Sequence, residues 1–292
     1  MVGHESTHDV DPPVADVREA VGRALAEDIE SDGDITSLAV VAPEATATAS
    51  LVARARGVLA GTRAAEEVFR RIDPSLTVQW SAHDGERIDD GRCFGLVRGN
   101  LRSILTAERS ALNFLTHCSG VATLTAAYVA AAGGKAVIRD TRKTLPGLRA
   151  LEKAAVRAGG GQNHRRSLSD AVLIKDNHLA TASIAHAVRR AHEMWPDRVV
   201  EVECDTLDQV TQAARSDPDL VLLDNMTPGE VGAAVSLLGG STLVEVSGGV
   251  TIDTVSAYAS AGPDYVSVGA ITHSAPALDL ALDVRRDEDE DH

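Results

Sequence analysis

The sequence predicts an α/β protein in which a smaller α+β segment precedes a β/α barrel, and two patterns along the chain carry that expectation. The first is a change of rhythm after residue 132, where six short apolar runs follow one another at 136–138, 171–174, 199–202, 220–223, 243–246 and 265–268. The later gaps hold segments with helical periodicity at 184–194, 207–215, 228–238 and 252–261, and strands alternating with helices imply a parallel sheet. The second pattern is what ends each run: Arg139 to Lys143, Lys175 to His178, Glu201 to Glu203, Asp224-Asn225, Ser247 to Gly249, and Gly269-Ala270. A β/α barrel gathers its site from all its strand ends, whereas an open doubly wound sheet concentrates its ligand in one crevice. Polar groups at every carboxyl edge therefore favour the barrel. The chain has no Gly-x-Gly-x-x-Gly after a strand and no Walker-type phosphate loop.

Ahead of the barrel, helical periodicity at 14–27 is followed by alternation of small apolar and polar residues at 45–55, as in a half-exposed strand. A helix is expected at 61–72, closed by Asp73-Pro74, and strands at 76–80 and 93–99 on either side of the turn-rich stretch 84–91. Residues 106–132 are helical in pattern, interrupted at Ser119-Gly120. The expected division is an α+β domain at 1–117, a barrel at 118–274, and a segment at 275–292 that packs back on the first domain. Residues 1–13 are polar and 286–292 almost wholly charged, so both ends are expected to fray.

With 292 residues the chain is long enough to bury a sizeable core. Acidic residues outnumber basic ones by 43 to 28, for a net charge of -15, which argues against a nucleic-acid surface and suits a strongly solvated exterior, as in a salt-rich cytoplasm. Any anion site must then be local. Lysine occurs only at Lys135, Lys143, Lys153 and Lys175, so it is not surface filler. Cys93, Cys118 and Cys204 are widely spaced in apolar contexts and are expected to be buried free thiols of a reducing compartment. No apolar run approaches a membrane span, and Met1 to Asp11 lacks the basic and apolar regions of a signal peptide. The expectation is a cytoplasmic protein that engages neither membrane nor nucleic acid.

The strand ends carry the chemistry. Arg142 and Lys143 supply a forked guanidinium and a compact ammonium, suited to carboxylate and phosphate, although a solvated basic turn has the same composition. Gly159-Gly160-Gly161 precedes Gln162-Asn163-His164-Arg165, and reads either as a flexible loop that approaches a ligand or as a plain turn. Lys175 ends an apolar run, where an ammonium is expensive unless paired or facing a ligand. Glu201 and Glu203 share one side of a strand. Glu203, nearer the edge, forms with Asp224 an acidic pair that can hold Mg²⁺, accept from sugar hydroxyls, or merely neutralise the cations. Ser247, Gly248 and Gly249, with Val268, Gly269 and Ala270, end the last two strands, where such barrels often bind phosphate through backbone N–H groups. Neither a Ser/His/Asp set nor a thiolate nucleophile is evident.

Nine ordered motifs extend this reading: Gly33-Asp34-Ile35-Thr36-Ser37, Glu108-Arg109-Ser110-Ala111-Leu112-Asn113-Phe114-Leu115, Asp140 to Arg149, Gly159 to Arg165, Leu173 to His178, Glu201-Val202-Glu203, Leu223-Asp224-Asn225-Met226, Glu245 to Gly249 and Ser267 to Ala270. Together they resemble the quinolinate phosphoribosyltransferase family, from about Val14 to Leu282. The resemblance implies conversion of quinolinate and phosphoribosyl pyrophosphate to nicotinate mononucleotide, carbon dioxide and pyrophosphate in de novo NAD synthesis, with Mg²⁺. It implies an incomplete, TIM-like barrel with the smaller domain beside it. Arg142, His164, Arg165 and Lys175 would hold the quinolinate carboxylates, with Thr141 in the same pocket and Lys143 near the phosphoribosyl donor. Glu203 and Asp224 would hold ribose hydroxyls and metal, directly or through the donor. Ser247 to Gly249 and Val268 to Ala270 would take the 5′-phosphate. Lys143, Lys175, Glu203 and Asp224 are the expected catalytic set. Arg109 would reach the pocket of a neighbouring subunit, making a homodimer with shared sites, higher assembly being left open.

Overall fold

The structure is a computed structural model that describes residues 10–286. The ends expected to fray lie outside the described residues except for 10–13 and 286, as does most of the stretch Met1 to Asp11 read for a signal peptide. The chain forms two compact units. Of the described residues, the first unit takes those up to Leu124, Leu145–Gly160 and those from Ser274; the second takes Thr125–Thr144 and Gly161–His273.

The first unit opens with α1 (Val14–Asp28) and α2 (Ile35–Val40), the latter capped by Asp34, whose carboxylate accepts the Ser37 N–H. Then come β1 (Thr46–Ala53), β2 (Gly57–Val58), α3 (Thr62–Ile72), β3 (Thr77–Trp80), β4 (Arg87–Ile88) and β5 (Cys93–Asn100). The alternation read at 45–55 is real: Ala47, Ala49, Leu51 and Ala53 are buried while the residues between them are not. α3 buries Ala64, Ala65, Val68 and Phe69 along one stripe. The main sheet is antiparallel, in the order β12-β1-β5-β3, where β12 is Leu280–Arg286. Leu51 stands opposite Leu282 on one side and Gly95 on the other.

Several expectations differ from the structure here. The long helix α4 (Leu101–Ala132) begins earlier than expected and runs through Ser119-Gly120 without a break. That pair is a packing site: the Ser119 hydroxyl donates to the Ala60 carbonyl and accepts the Ala60 N–H, and a Cβ on Gly120 would stand 2.2 Å from the Pro276 carbonyl oxygen. The helix is also long and apolar enough to cross a membrane by length and composition, contrary to the reading of the sequence, but half of its most apolar window is buried within the chain. A further difference lies at α5 (Arg149–Ala158), in a segment assigned to the barrel, which belongs to the first unit. It buries Leu151, Ala154 and Ala155, and its Glu152 accepts the Leu145 N–H and pairs with the His117 ring at 2.9 Å. All three cysteines are free, but Cys93 is exposed rather than buried, because its side chain lies on the open face of β5.

The second unit is a six-stranded parallel sheet ordered β6-β11-β10-β9-β8-β7. Its strands are β6 (Val137–Arg139), β7 (Val172–Ile174), β8 (Val200–Cys204), β9 (Leu220–Asp224), β10 (Leu243–Ser247) and β11 (Tyr265–Ser267). Helices α6 (Ile184–Met194), α7 (Leu207–Ala214), α8 (Pro228–Leu238), α9 (Val255–Ser260) and the single turn α10 (Ala270–His273) fill the later gaps, and a 3-10 turn (Asp176–Ala180) follows β7. Their starts obey local chemistry. Thr206 with Gln209, and Thr227 with Glu230, close capping boxes, and Pro228 occupies the first turn of α8. From β7 to β11 each strand neighbours the next in sequence, and β6 joins beyond β11, so the order never doubles back as it does in an open doubly wound sheet.

Alanine is the better helix former by about 1 kcal/mol, yet Gly120→Ala is expected to destabilise the protein by about 1–2 kcal/mol, since the methyl would meet backbone that cannot step aside. Urea denaturation of the two proteins measures the difference.

Candidate active site

Parallel strands bring their carboxyl ends to one edge, and the second unit collects there nearly every polar residue singled out above. β6 ends in Arg139, followed by Asp140, which is fully buried and accepts the His164 N–H at 2.8 Å and the Asn163 side-chain amide at 2.6 Å. The Thr141 hydroxyl accepts the Lys143 N–H, and the Lys143 carbonyl accepts the Thr272 hydroxyl at 2.7 Å. Lys143 itself is exposed, and its Cδ lies 3.1 Å from where a Cβ on Gly269 would stand. The first and last strands of the unit therefore present Lys143 and the Val268-Gly269-Ala270 turn together.

The glycine run is not a flexible loop. Gly159 closes α5, and Gln162 bridges to Arg139 in parallel, its N–H donating to the Ile138 carbonyl. That bridge carries His164 and Arg165 along the sheet edge. Both ring nitrogens of His164 are engaged within the chain. Nε2 lies 3.0 Å from Glu201 Oε2 and 3.5 Å from Glu245 Oε1, and Nδ1 accepts the Arg165 N–H at 2.8 Å. Burial works against an imidazolium there, but the hydrogen bond to Glu201 and the charges of Glu245 and Glu201 outweigh it, and the His164 pKa is raised. Separately from that shift, the Arg165 N–H aimed at Nδ1 favours the neutral ring with its proton on Nε2, where Glu201 accepts it.

Arg165 is partly buried. Burial, and then the neighbouring charge of Arg142, weaken its hold on its proton, so two guanidinium groups share one region of the edge. Lys175, at the end of β7, forms an ion pair with Glu203 on β8. Asp224 ends β9 and is half-buried, accepting from the Asn225 side chain at 2.7 Å. Its register partner on β10 is Ser247. Gly248 has φ 89°, and a Cβ there would stand 2.3 Å from Asn225 Oδ1 and 2.7 Å from the Asn225 backbone nitrogen. The close approach of these two turns requires glycine. Gly249 is exposed, and the next helix begins only at Val255, later than expected. Arg109 is exposed on α4, within the first unit.

Several residues that the sequence reading passed over lie behind this edge. Arg139 pairs with Glu245 at 2.9 Å and covers the Tyr265 ring at 3.3 Å from its centroid. Glu245 also accepts the Ser267 hydroxyl, and both are buried. Burial, then the charge of Glu201, push the Glu245 carboxyl up. The signal for them was present: charged residues inside otherwise apolar strands, where each must be paired.

Comparison with known proteins gives the family. The chain matches the family model described as quinolinate phosphoribosyl transferase, C-terminal domain, over residues 121–283, and the N-terminal domain model over 34–119. It is similar to the carboxylating nicotinate-nucleotide pyrophosphorylase of Mycobacterium leprae (strain TN), 44% identical over 276 residues, which span 91% of this chain and 96% of that protein. The chloroplastic carboxylating nicotinate-nucleotide pyrophosphorylase of Oryza sativa subsp. japonica is 40% identical over 93% of this chain and 78% of that one. Among solved structures, the nicotinate-nucleotide pyrophosphorylase of Francisella tularensis superposes with a TM-score of 0.90 at 40% identity, covering 94% of this chain and 98% of that one.

Gly248→Ala combines a left-handed φ with a clash against backbone, and a loss of about 2 kcal/mol is expected. Chemical denaturation of the variant beside the parent protein tests it.

Proposed function

The chain belongs to the quinolinate phosphoribosyltransferase family, and on that premise we propose how its residues divide the work. The enzyme joins quinolinate to phosphoribosyl pyrophosphate and yields nicotinate mononucleotide, carbon dioxide and pyrophosphate, a step of NAD synthesis.

One observation carries the assignment of the acceptor pocket. Arg165 is partly buried beside Arg142, and burial, then the Arg142 charge, weaken its hold on its proton. A dianion placed against them offsets that effect, and quinolinate brings two carboxylates. Lys175 completes the set by exchanging Glu203 for substrate, while Thr141 lines the same pocket. His164, engaged on both ring nitrogens, acts from behind Arg165. Lys143, beside the Val268-Gly269-Ala270 turn, suits the phosphates of the donor, and Ser247-Gly248-Gly249 offers a second run of backbone close to Asp224.

The chemistry needs little covalent help. The pyridine nitrogen forms a bond to the sugar carbon as the bond to pyrophosphate breaks, and its electron pair becomes that new bond. Cations at the strand ends stabilise the departing diphosphate, and Glu203 and Asp224 support the positive charge that develops on the ribose. The C–CO₂ bond then breaks, its electron pair staying on the ring carbon beside the newly positive nitrogen until a proton replaces the lost group. Glu203 and Asp224, two carboxylates on adjacent strands, also have the donor chemistry of a hard cation. Mg²⁺ held there with the donor would neutralise its diphosphate. Arg109, exposed on α4, would complete the pocket of a partner subunit in a homodimer. The free thiols fit a reducing, cytoplasmic setting.

Purified protein with Mg²⁺, phosphoribosyl pyrophosphate and either quinolinate or nicotinate tests the reading, with mononucleotide and carbon dioxide as readouts. Turnover is expected with quinolinate alone, and turnover with nicotinate alone would refute it. Lys175→Ala is expected to lower kcat/KM by about 10²–10³-fold. Arg109→Ala and Lys175→Ala proteins, each inactive, should regain part of the activity when mixed and allowed to exchange subunits. Demonstrated exchange without recovery would remove Arg109 from the shared pocket.

A further inference from the structure

Behind the segment that carries Arg165, three acids sit on three strands: Asp140 just beyond β6, Glu201 on β8 and Glu245 on β10, each 2% exposed or less. Each holds part of the segment 163–165 or a neighbour of it. Asp140 takes the His164 N–H and the Asn163 amide. Glu245 is held by Arg139 and Ser267, and its Oε1 stands 3.5 Å from His164 Nε2. Glu201 Oε2 accepts from the same Nε2 at 3.0 Å.

The hydrogen bonds admit one arrangement of the ring. Nε2 faces two carboxylates, which accept, so Nε2 carries the hydrogen. Nδ1 receives the Arg165 N–H at 2.8 Å, so it carries a lone pair. Glu201 thus orients the imidazole through one nitrogen, and the imidazole holds the main chain of Arg165 through the other. The Arg165 guanidinium, anchored also on the Ala171 carbonyl at 3.3 Å, is the end of that chain of contacts.

Stability alone does not account for Glu201. Its Oε1 is buried without a hydrogen-bond partner among the described residues, and burying a carboxylate with one oxygen unsatisfied costs the fold more than a leucine in its place would.

We propose that Glu201 is a positioning residue of the quinolinate site: through Nε2–H and Nδ1 of His164 it sets the main chain of Arg165, and so where that guanidinium meets a substrate carboxylate. The inference rests on Arg165 as a quinolinate ligand. Without Glu201 the ring is free to turn toward Glu245, 3.5 Å away, and Arg165 shifts with it.

Steady-state kinetics of Glu201→Leu and Glu201→Gln, with each substrate varied in turn, test the inference beside thermal unfolding and the metal content of each purified protein. Glu201→Leu should raise the KM for quinolinate by about 10- to 100-fold, the scale on which small displacements of a binding group act. The KM for phosphoribosyl pyrophosphate should hold within about 2-fold, less than any loss of a direct contact, and the unfolding temperature should not fall. Glu201→Gln still accepts from Nε2–H and should recover much of the loss; it also serves if the leucine variant does not fold. In the Arg165→Ala background, Glu201→Leu should add nothing to the quinolinate KM. Equal changes in both KM values, a fall in unfolding temperature with no KM split, or additive effects in the double variant would each overturn the positioning role. So would one divalent ion per chain that Glu201→Gln loses, which would make His164, Glu201 and Glu245 a metal centre. An Arg165→Ala protein with an unchanged quinolinate KM would instead remove the premise, Arg165 as ligand, and is read separately from the Glu201 variants.

Discussion

Charge buried inside a parallel sheet is the constraint on which the second unit depends. Arg139, Glu201 and Glu245 are flanked on their strands by apolar neighbours, and an ion removed from water is tolerable only when it is paired. The register supplies partners: Arg139 stands opposite Ser267, and Glu245 opposite Tyr265, so the arginine meets a carboxylate, and its guanidinium a ring face, in one place. The same pairing that makes these charges bearable holds the sheet edge rigid, and a rigid edge is what a site assembled from several strand ends requires.

The cations of the edge are of two kinds, and their surroundings separate them. Lys143 is exposed, and among the described residues its hydrogen bonds are made by its main chain, which suits the proposed role of its ammonium toward a polyphosphate. Arg165 and Lys175 are held by groups around them, the one by the Ala171 carbonyl and its neighbouring imidazole, the other by Glu203. A planar diacid is best met by groups already in place.

Much of this was legible in the sequence, for physical reasons that also mark where legibility ends. Apolar runs separated by helical segments located all six parallel strands to within about two residues, because hydrophobic period is a local property. The strand ends pointed to Arg142, Lys143, Lys175, Glu203 and Asp224 by position alone. What escaped depends on distant partners. Nothing near Arg149 tells that α5 packs with the first unit, and nothing near Gly120 tells that the Pro276 carbonyl lies against it, so a packing glycine read as a helix break. Glu201 read as the lesser of two acids because only the fold shows His164 beside it. The contacts of the His164 ring with Glu201 and with the next residue's N–H are equally invisible in the sequence.

A pocket built on Arg142, Arg165 and Lys175 has a consequence for the direction of the reaction. In the proposed pocket, quinolinate would bring two negative groups to these cations. As the ring nitrogen gains the ribose, the ring turns positive, and with carbon dioxide it loses one of its two carboxylates. What remains would offer the pocket a single carboxylate and a positive ring, so attraction would fall while the Arg142 charge again bears on Arg165. Lys175 then has Glu203 to go back to, and the ion pair seen in the free protein is restored. Binding the diacid more strongly than its decarboxylated product follows from the charges alone, and the same balance that draws quinolinate in favours the release of the mononucleotide.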